Sequence, residues 1–391
     1  MFSFVNMKEE AKLQLSNRDY DKAKFKKVAG RYLHNNHLED FISTHSDKLE
    51  FETIGTSVEN KNIYGLQIGS GSKKVLMWSQ MHGNESTTTK AVLDFLNSIV
   101  VDADNPYNKS LLERTTLYII PVLNPDGAAY YTRVNANAID LNRDMQDLSQ
   151  PESRLLMKVY REFQPDFCLN LHDQRSIFSA GETKLPAILS FLTPSSDINR
   201  SITEERMESM SLIAGMVKDL QNEIGERIGR YDDGFNLNCA GDTFQHHGTP
   251  TILFEAGHYP GDYHREVSRK YVFKALRSCL DRIMNDQSVD YNQYFKIPEN
   301  AKYFRDVILR NVNIEGGKKD VLIQFKETLD HDRIRFVPVI EDIHNETILF
   351  GHREIDAAGK KIRLMEEGSI SENVVVNKIF LNDEIFELNP Q

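Results

Sequence analysis

The feature that most constrains this chain is the stretch Lys-Val-Leu-Met-Trp-Ser-Gln-Met-His-Gly-Asn-Glu at residues 74–85. Val75 to Trp78 is an unbroken run of strand-forming apolar residues, the pattern of a strand buried on both faces. It breaks into a polar turn carrying His82 and Glu85, and Val92, Phe95, Leu96, Ile99 and Val100 then recur at helical spacing. A buried strand, a turn with two metal-capable side chains and a helix place chemistry at the carboxyl edge of a sheet, where open α/β sheets bind their ligands.

The same alternation continues. Leu117–Leu123 reads as a strand ending in the turn signal Asn-Pro-Asp-Gly, 152–163 as a helix, and Asp166–Leu171 as a strand ending at His172. A long helix follows through Ile213, Met216, Val217, Leu220 and Ile224, then a strand Thr251–Phe254 ending at Glu255, and a helix through Val272, Leu276 and Ile283. Before it, Phe51–Ser57 and Ile63–Ile68 form a hairpin across Glu-Asn-Lys-Asn. This is an α/β pattern with a mixed central sheet flanked by helices. Residues 1–48 are expected as an N-terminal helical segment, with helices around Asp19–Leu33 and Leu38–Lys48, packed on a catalytic domain at 49–290. After residue 290 helical periodicity gives way to short β-like runs, so 300–391 is expected as a small all-β, sandwich-like C-terminal domain.

Composition narrows the function classes. The 391 residues carry a net charge of −11, which disfavours nucleic acid and anionic membranes as partners. No run approaches the ~18 apolar residues of a membrane span, and the N-terminus lacks the apolar core of a signal segment. Cys168, Cys239 and Cys279 are few and scattered, as suits free thiols in a reducing compartment. The expected location is the cytoplasm.

Three polar signals sit just beyond apolar strands: His82 with Glu85, His172, and Glu255. A single histidine at a strand end is commonly a hydrogen-bonded structural residue. The three together make two imidazoles and a carboxylate, a catalytic zinc set with one position left for water, and leave Glu255 free as a general base. Arg133 follows the Asn-Pro-Asp-Gly turn and suits oxyanion stabilisation. Asp140, Asn142 and Arg143 fall together, and an arginine beside an amide suits forked recognition of a carboxylate.

His-Gly-Asn-Glu at 82–85, Asn-Pro-Asp-Gly at 124–127, Arg133, Asp-Leu-Asn-Arg at 140–143, His172 and Glu255 in Ile-Leu-Phe-Glu occur in the order of the motifs of the M14 family of zinc carboxypeptidases. The chain resembles that family over roughly residues 30–285. The resemblance implies that His82, Glu85 and His172 hold one Zn2+ and that Glu255 activates the zinc-bound water and then protonates the leaving amine. It implies that Arg133 polarises the scissile carbonyl, that Asn142 and Arg143 clamp the terminal carboxylate of a peptide or other carboxylate-ended substrate, and that Asp140 orients His82.

Some positions depart from the pattern. Asn84 stands where digestive members have arginine. Tyr231 is the one candidate for their mobile capping tyrosine, at a spacing that does not place it cleanly. Asp242 lies where the floor of a specificity pocket falls and is suited to a basic side chain, or to a structural role in a turn. His246, His247 and His258 are read as loop or supporting groups. The same zinc set also serves a murein-peptide amidase cutting a γ-D-glutamyl to diaminopimelate bond, or an N-acyl amino-acid deacylase. A non-catalytic peptide-binding protein on this scaffold would be expected to lack a ligand or the base.

Overall fold

The structure, a computed structural model, describes residues 17–314, 317–365, 369–381 and 384–390. The expectations for residues 1–16, including the reading of the N-terminus, lie outside these residues.

The α/β part is built on one eight-stranded sheet. Its strands are β1 (Phe51–Thr56), β2 (Asn62–Gly69), β3 (Lys73–Ser79), β4 (Thr115–Ile120), β5 (Phe167–Asp173), β6 (Leu189–Leu192), β7 (Ile228–Arg230) and β8 (Thr251–Ala256). They lie in the order β1-β2-β4-β3-β5-β8-β6-β7. The central four, β4, β3, β5 and β8, are mutually parallel, and antiparallel pairings flank them at β2 and β6. The fold is the expected mixed sheet flanked by helices.

The apolar run at 75–78 is explained by burial on both faces. Val75 and Met77 enter one core with Val92, Phe95 and Leu96 of helix Thr87–Val101 and Val272 and Leu276 of helix Glu266–Met284. Leu76 and Trp78 enter a second core with Leu156 of helix Pro151–Phe163 and Phe244 of helix Ala240–His246. Successive side chains of a strand point to opposite faces, so only a strand between two helical layers is apolar at every position.

Two expectations need correction. The helix expected over Asp19–Leu33 ends early: helix Asn17–Ala23 is followed by an extended strap, and the second helix spans Asn35–His45. The strap has other partners for its backbone. Arg269 donates to the carbonyls of Phe25 and Val28, Lys90 to that of Gly30, and Gly30 adopts φ +71°. The Asn-Pro-Asp-Gly stretch opens a short helix, Pro125–Tyr130, because the Asn124 side chain caps the Gly127 N–H at 2.8 Å with Pro125 in the first turn. The polar stretch after the last helix has structure of its own. It holds a 3-10 helix, Tyr291–Lys296, and a two-residue ladder of Asn300–Ala301 with Ser179–Ala180.

The C-terminal region is all β. Strands β9 (Phe304–Ile314), β10 (Gly317–Asp330), β11 (Arg333–His344) and β12 (Phe350–Asp356) form a sheet in the order β11-β10-β9-β12. A smaller sheet holds β13 (Arg363–Leu364), β14 (Lys378–Leu381) and β15 (Glu384–Glu387). The two share one core, with Val307, Val321 and Ile340 from the first and Leu364, Ile379 and Leu381 from the second. Among the described residues no helix is long and apolar enough to cross a membrane.

Candidate active site

The parallel centre of the sheet delivers the site. Beyond the end of β3 the chain turns through Gln80, at φ +49°, so that His82 and Glu85 face back over the strand ends. Gly83 in this turn is obligatory in shape, since a Cβ there would lie 1.9 Å from the carbonyl carbon of Gly127. His172 is the penultimate residue of β5, and in register beside it on β8 stands Glu255. Asp173 then accepts from the N–H groups of Thr87 and Thr88 at 2.9 and 3.1 Å, tying the end of β5 to the start of the helix after Glu85.

His82, Glu85 and His172 converge, with donor atoms within 4.8 Å of one another; they are the metal-capable group found among the described residues. Glu85 Oε1 lies 2.9 Å from His82 Nδ1, Glu85 Oε2 lies 2.8 Å from His172 Nδ1, and the two Nδ1 atoms are 3.1 Å apart. On its far side His82 Nε2 lies 3.1 Å from Asp140 Oδ1. A carboxylate only accepts, so Asp140 fixes the proton on Nε2 and turns the Nδ1 lone pair toward Glu85 and His172. Two buried imidazole nitrogens and a carboxylate aimed at one point suit a cation. Two imidazoles and one carboxylate fit zinc.

The electrostatics separate the groups of the site. Burial works against a charge on His82, yet Glu85 and Asp140 outweigh it and raise its pKa. Burial lowers that of His172, with Glu85 opposing. Glu85 is buried as well, but the two imidazoles hold its carboxyl far below the usual range. Burial would raise the Asp140 pKa, and His82 with Arg133 reverse this. Glu255 behaves oppositely: burial, then the charges of Glu85 and Asp173, push its pKa well above the carboxylate range, and its buried Oε2 has no partner. The two carboxylates of one site are thus pushed in opposite directions, a separation that suits one to hold a cation and the other to carry a proton.

Arg133 sits at the mouth, with Nε donating to Asp140 Oδ2 at 3.0 Å and Nη1 at 3.2 Å from His82 Nδ1. Its side chain is 47% exposed, so it can meet a substrate. Asp140 also accepts from the Asn142 N–H at 2.9 Å, starting the 3-10 turn Leu141–Arg143. One carboxylate thus joins the triad to the Asn142–Arg143 pair. The Asn142 Oδ1 accepts from Ala240 N at 2.9 Å, which directs its amide NH2 outward, and exposed Arg143 donates to the Asn142 carbonyl at 2.6 Å and lies 3.1 Å from Cys239 Sγ.

Asp242 lies along the same wall. It accepts from Ser195 N at 3.1 Å, and burial pushes its pKa up to about 7. His246 pairs with the Ser196 carbonyl, His247 lies near Tyr160, and His258 packs on His352 and Tyr263, all outside the triad. Asn84 leaves a buried Oδ1 unpaired. Tyr231, which spacing left unplaced, is brought close enough that Glu255 and Glu85, after burial, raise its pKa. Sequence reasoning missed Asp173. Its signal was adjacency to His172 in Leu-His-Asp, and the cap it makes on a helix eighty-odd residues earlier has no local trace.

Residues 34–210 match the family model described as zinc carboxypeptidase. A probable carboxypeptidase 2 of Trichophyton verrucosum is 29% identical over 152 residues, covering 38% of this chain and 26% of that protein. Mouse carboxypeptidase M is 27% identical over 201 residues, covering 43% of this chain and 45% of that protein. The chain therefore spans under half the length of these relatives. A metallo-carboxypeptidase from Burkholderia cenocepacia shares the fold at a TM-score of 0.54 and 19% identity, over 66% of this chain and 70% of that one.

Proposed function

We propose that the chain is a member of the M14 family of zinc carboxypeptidases and hydrolyses the C-terminal peptide bond of peptide substrates with one zinc ion per chain. The observation that carries the proposal is the double use of Asp140. It turns the His82 Nδ1 toward Glu85 and His172, and the same carboxylate seats the Asn142–Arg143 pair. A hydrolytic centre with a carboxylate fork fixed beside it suits a substrate that ends in a carboxylate.

His82, Glu85 and His172 would hold the metal. When bound, zinc supplies a Lewis acid that polarises the scissile carbonyl and makes water a nucleophile near neutral pH. Glu255 Oε2, buried and unpaired, would take a proton from the attacking water once a bound cation offsets the charges of Glu85 and Asp173, and would return it to the leaving amine. Arg133, held over the triad by Asp140, stabilises the oxyanion that develops at the carbonyl. Arg143 and the Asn142 amide bind the terminal carboxylate. Asp242 faces this clamp and would favour a cationic or amine-bearing side chain, whose approach would draw its pKa back down. On the same reading the protein acts in the cytoplasm, which the free thiols of Cys168, Cys239 and Cys279 support.

The test is metal analysis followed by turnover on peptides with free and with amidated C-termini. Release of single C-terminal residues from the free set alone, dependent on stoichiometric zinc, is the expected result. Cleavage confined to γ-D-glutamyl-diaminopimelate peptides or to N-acyl amino acids would replace the carboxypeptidase reading. Zinc binding without any hydrolysis would remove the enzyme reading altogether.

A further inference from the structure

We propose that Glu327, on strand β10 of the C-terminal β region, is a positioning residue for the catalytic site, holding both the turn that carries Glu85 and the segment that carries Arg133. The inference rests on the carboxypeptidase reading and adds to it a role for a part of the chain with no catalytic motif.

One carboxylate oxygen, Glu327 Oε2, receives two partners from the α/β part. Tyr131 donates its hydroxyl to it, and Arg31 Nη2 lies 3.1 Å away. Tyr131 closes helix Pro125–Tyr130 in the left-handed conformation, at φ +56°, and stands two residues before Arg133. A non-glycine residue at positive φ is held there by its surroundings, and the Glu327 bond supplies part of that hold. Tyr32 supports the same corner by donating to the Ala129 carbonyl at 2.7 Å.

The second arm runs through the strap. The Arg31 carbonyl accepts from Ser86 Oγ at 2.5 Å, and the Leu33 carbonyl accepts from Gln80 Nε2 at 2.8 Å. Gln80 and Ser86 bracket the turn that presents His82 and Glu85. Arg31 is 7% exposed and Tyr131 8% exposed, so both partners of Glu327 are buried groups in need of an acceptor. Without Glu327 the Arg31 guanidinium keeps Asp173 as its next anion, and Asp173 is already engaged at the start of the helix after Glu85.

Other contacts of the β region fall on the remaining site segments. Gln324 donates to Ser176 Oγ at 2.9 Å and His352 to the Ser176 carbonyl at 2.8 Å, four residues beyond His172. His352 also packs on His258, three residues beyond Glu255, with ring centres 4.2 Å apart. A neutral packing appendage would have no reason to place its polar contacts behind each of these segments. Glu327 is the member of the set whose two bonds lead to the metal-ligand turn and the oxyanion arginine together.

The test compares the full chain with Glu327→Ala, Glu327→Gln and Tyr131→Phe, reading the zinc dissociation constant by chelator competition, and kcat and KM on a peptide. Glu327→Ala is expected to weaken zinc binding about tenfold and lower kcat about tenfold with little change in KM. Glu327→Gln keeps an acceptor for both partners and is expected to restore most of both losses. Tyr131→Phe cuts the arm to Arg133 and loses the Tyr131 contact with Arg31, but keeps the Glu327–Arg31 pair, and is expected to lower kcat with a smaller change in zinc affinity than Glu327→Ala. That variant carries the test if Glu327→Ala does not accumulate as folded protein. A Glu327→Ala enzyme with unaltered kcat and zinc affinity, changed only in melting temperature, overturns the inference, as does an unaltered kcat in Tyr131→Phe. A wild type that binds zinc but cleaves no peptide defeats the carboxypeptidase reading instead, and the zinc constants of the same variants then decide the arm through Arg31.

Discussion

Asp94 and Arg269 pin the strap at residues 24–34 to the body of the protein, and replacing Asp94 with alanine should unfasten it. Both side chains are fully buried, on helices Thr87–Val101 and Glu266–Met284. Arg269 donates to Asp94 through Nε at 2.7 Å and Nη2 at 2.6 Å, and to the carbonyls of Val28 and Phe25 at 2.8 and 2.9 Å. Asp94 in turn accepts from Phe25 N at 2.7 Å and from the Tyr20 hydroxyl at 3.2 Å. Alanine at 94 takes away the two-pronged counter-charge of a buried guanidinium, which keeps only Glu266 Oε2 at 3.2 Å, and leaves the Phe25 amide without an acceptor. Breaking a buried pair on one side costs about 3–5 kcal/mol. At about 2.1 cal/mol/K of unfolding entropy per residue, a chain of 391 residues should lose about 5 °C in Tm. Calorimetry and urea unfolding followed by circular dichroism measure the loss, and limited proteolysis should find the strap newly accessible. The paired change Asp94→Leu with Arg269→Met removes both charges and should be less destabilised than Asp94→Ala alone. A double variant as unstable as the single one, or a single variant within about 1 kcal/mol of wild type, refutes the argument that the stranded charge sets the cost.

Glu255→Gln should keep its zinc, measured by metal analysis, and lose at least about 100-fold in kcat; loss of the metal would contradict the assignment of Glu255 as proton carrier. Arg133→Ala should raise the barrier by about 2.7–4 kcal/mol, seen as a fall in kcat with zinc affinity retained. Asp140→Asn should weaken zinc about 10–100-fold in chelator competition, because an amide does not enforce the His82 tautomer. Asp306 is buried, and burial pushes its pKa up to about 6 despite donation from Phe325 N and the Tyr263 hydroxyl. Its folded pKa exceeds the unfolded value near ~3.9, so its contribution is full below that pH and is lost as pH rises through about 6. Asp306→Asn should therefore flatten the decline in Tm between acid and neutral pH, and parallel Tm–pH curves for the two proteins would exclude this.

The sequence by itself determined the part of the site that is local. His82 and Glu85 share a turn fixed by a strand on one side and a helix on the other, whereas the long-range register of two parallel strands is what sets His172 beside Glu255. The apolar run at 75–78 announced a strand covered on both faces, because burial on both sides is the physical reason such a run exists. Short strands such as Ile228–Arg230 left no such mark, since three residues carry no periodicity. The strap at 24–34 failed as a helix because its carbonyls are claimed by Arg269, about 240 residues later in the chain. Tyr231 and Asp173 join the site through packing and through a cap on a distant helix. Glu327 is the extreme case: nothing near it in the chain distinguishes it from other acidic residues on exposed strands. Only the tertiary structure brings its carboxylate to Arg31 and Tyr131, because residues so far apart in sequence meet through the whole of the intervening fold. Local spacing encoded the metal-binding chemistry, and long-range packing decided what holds it in place.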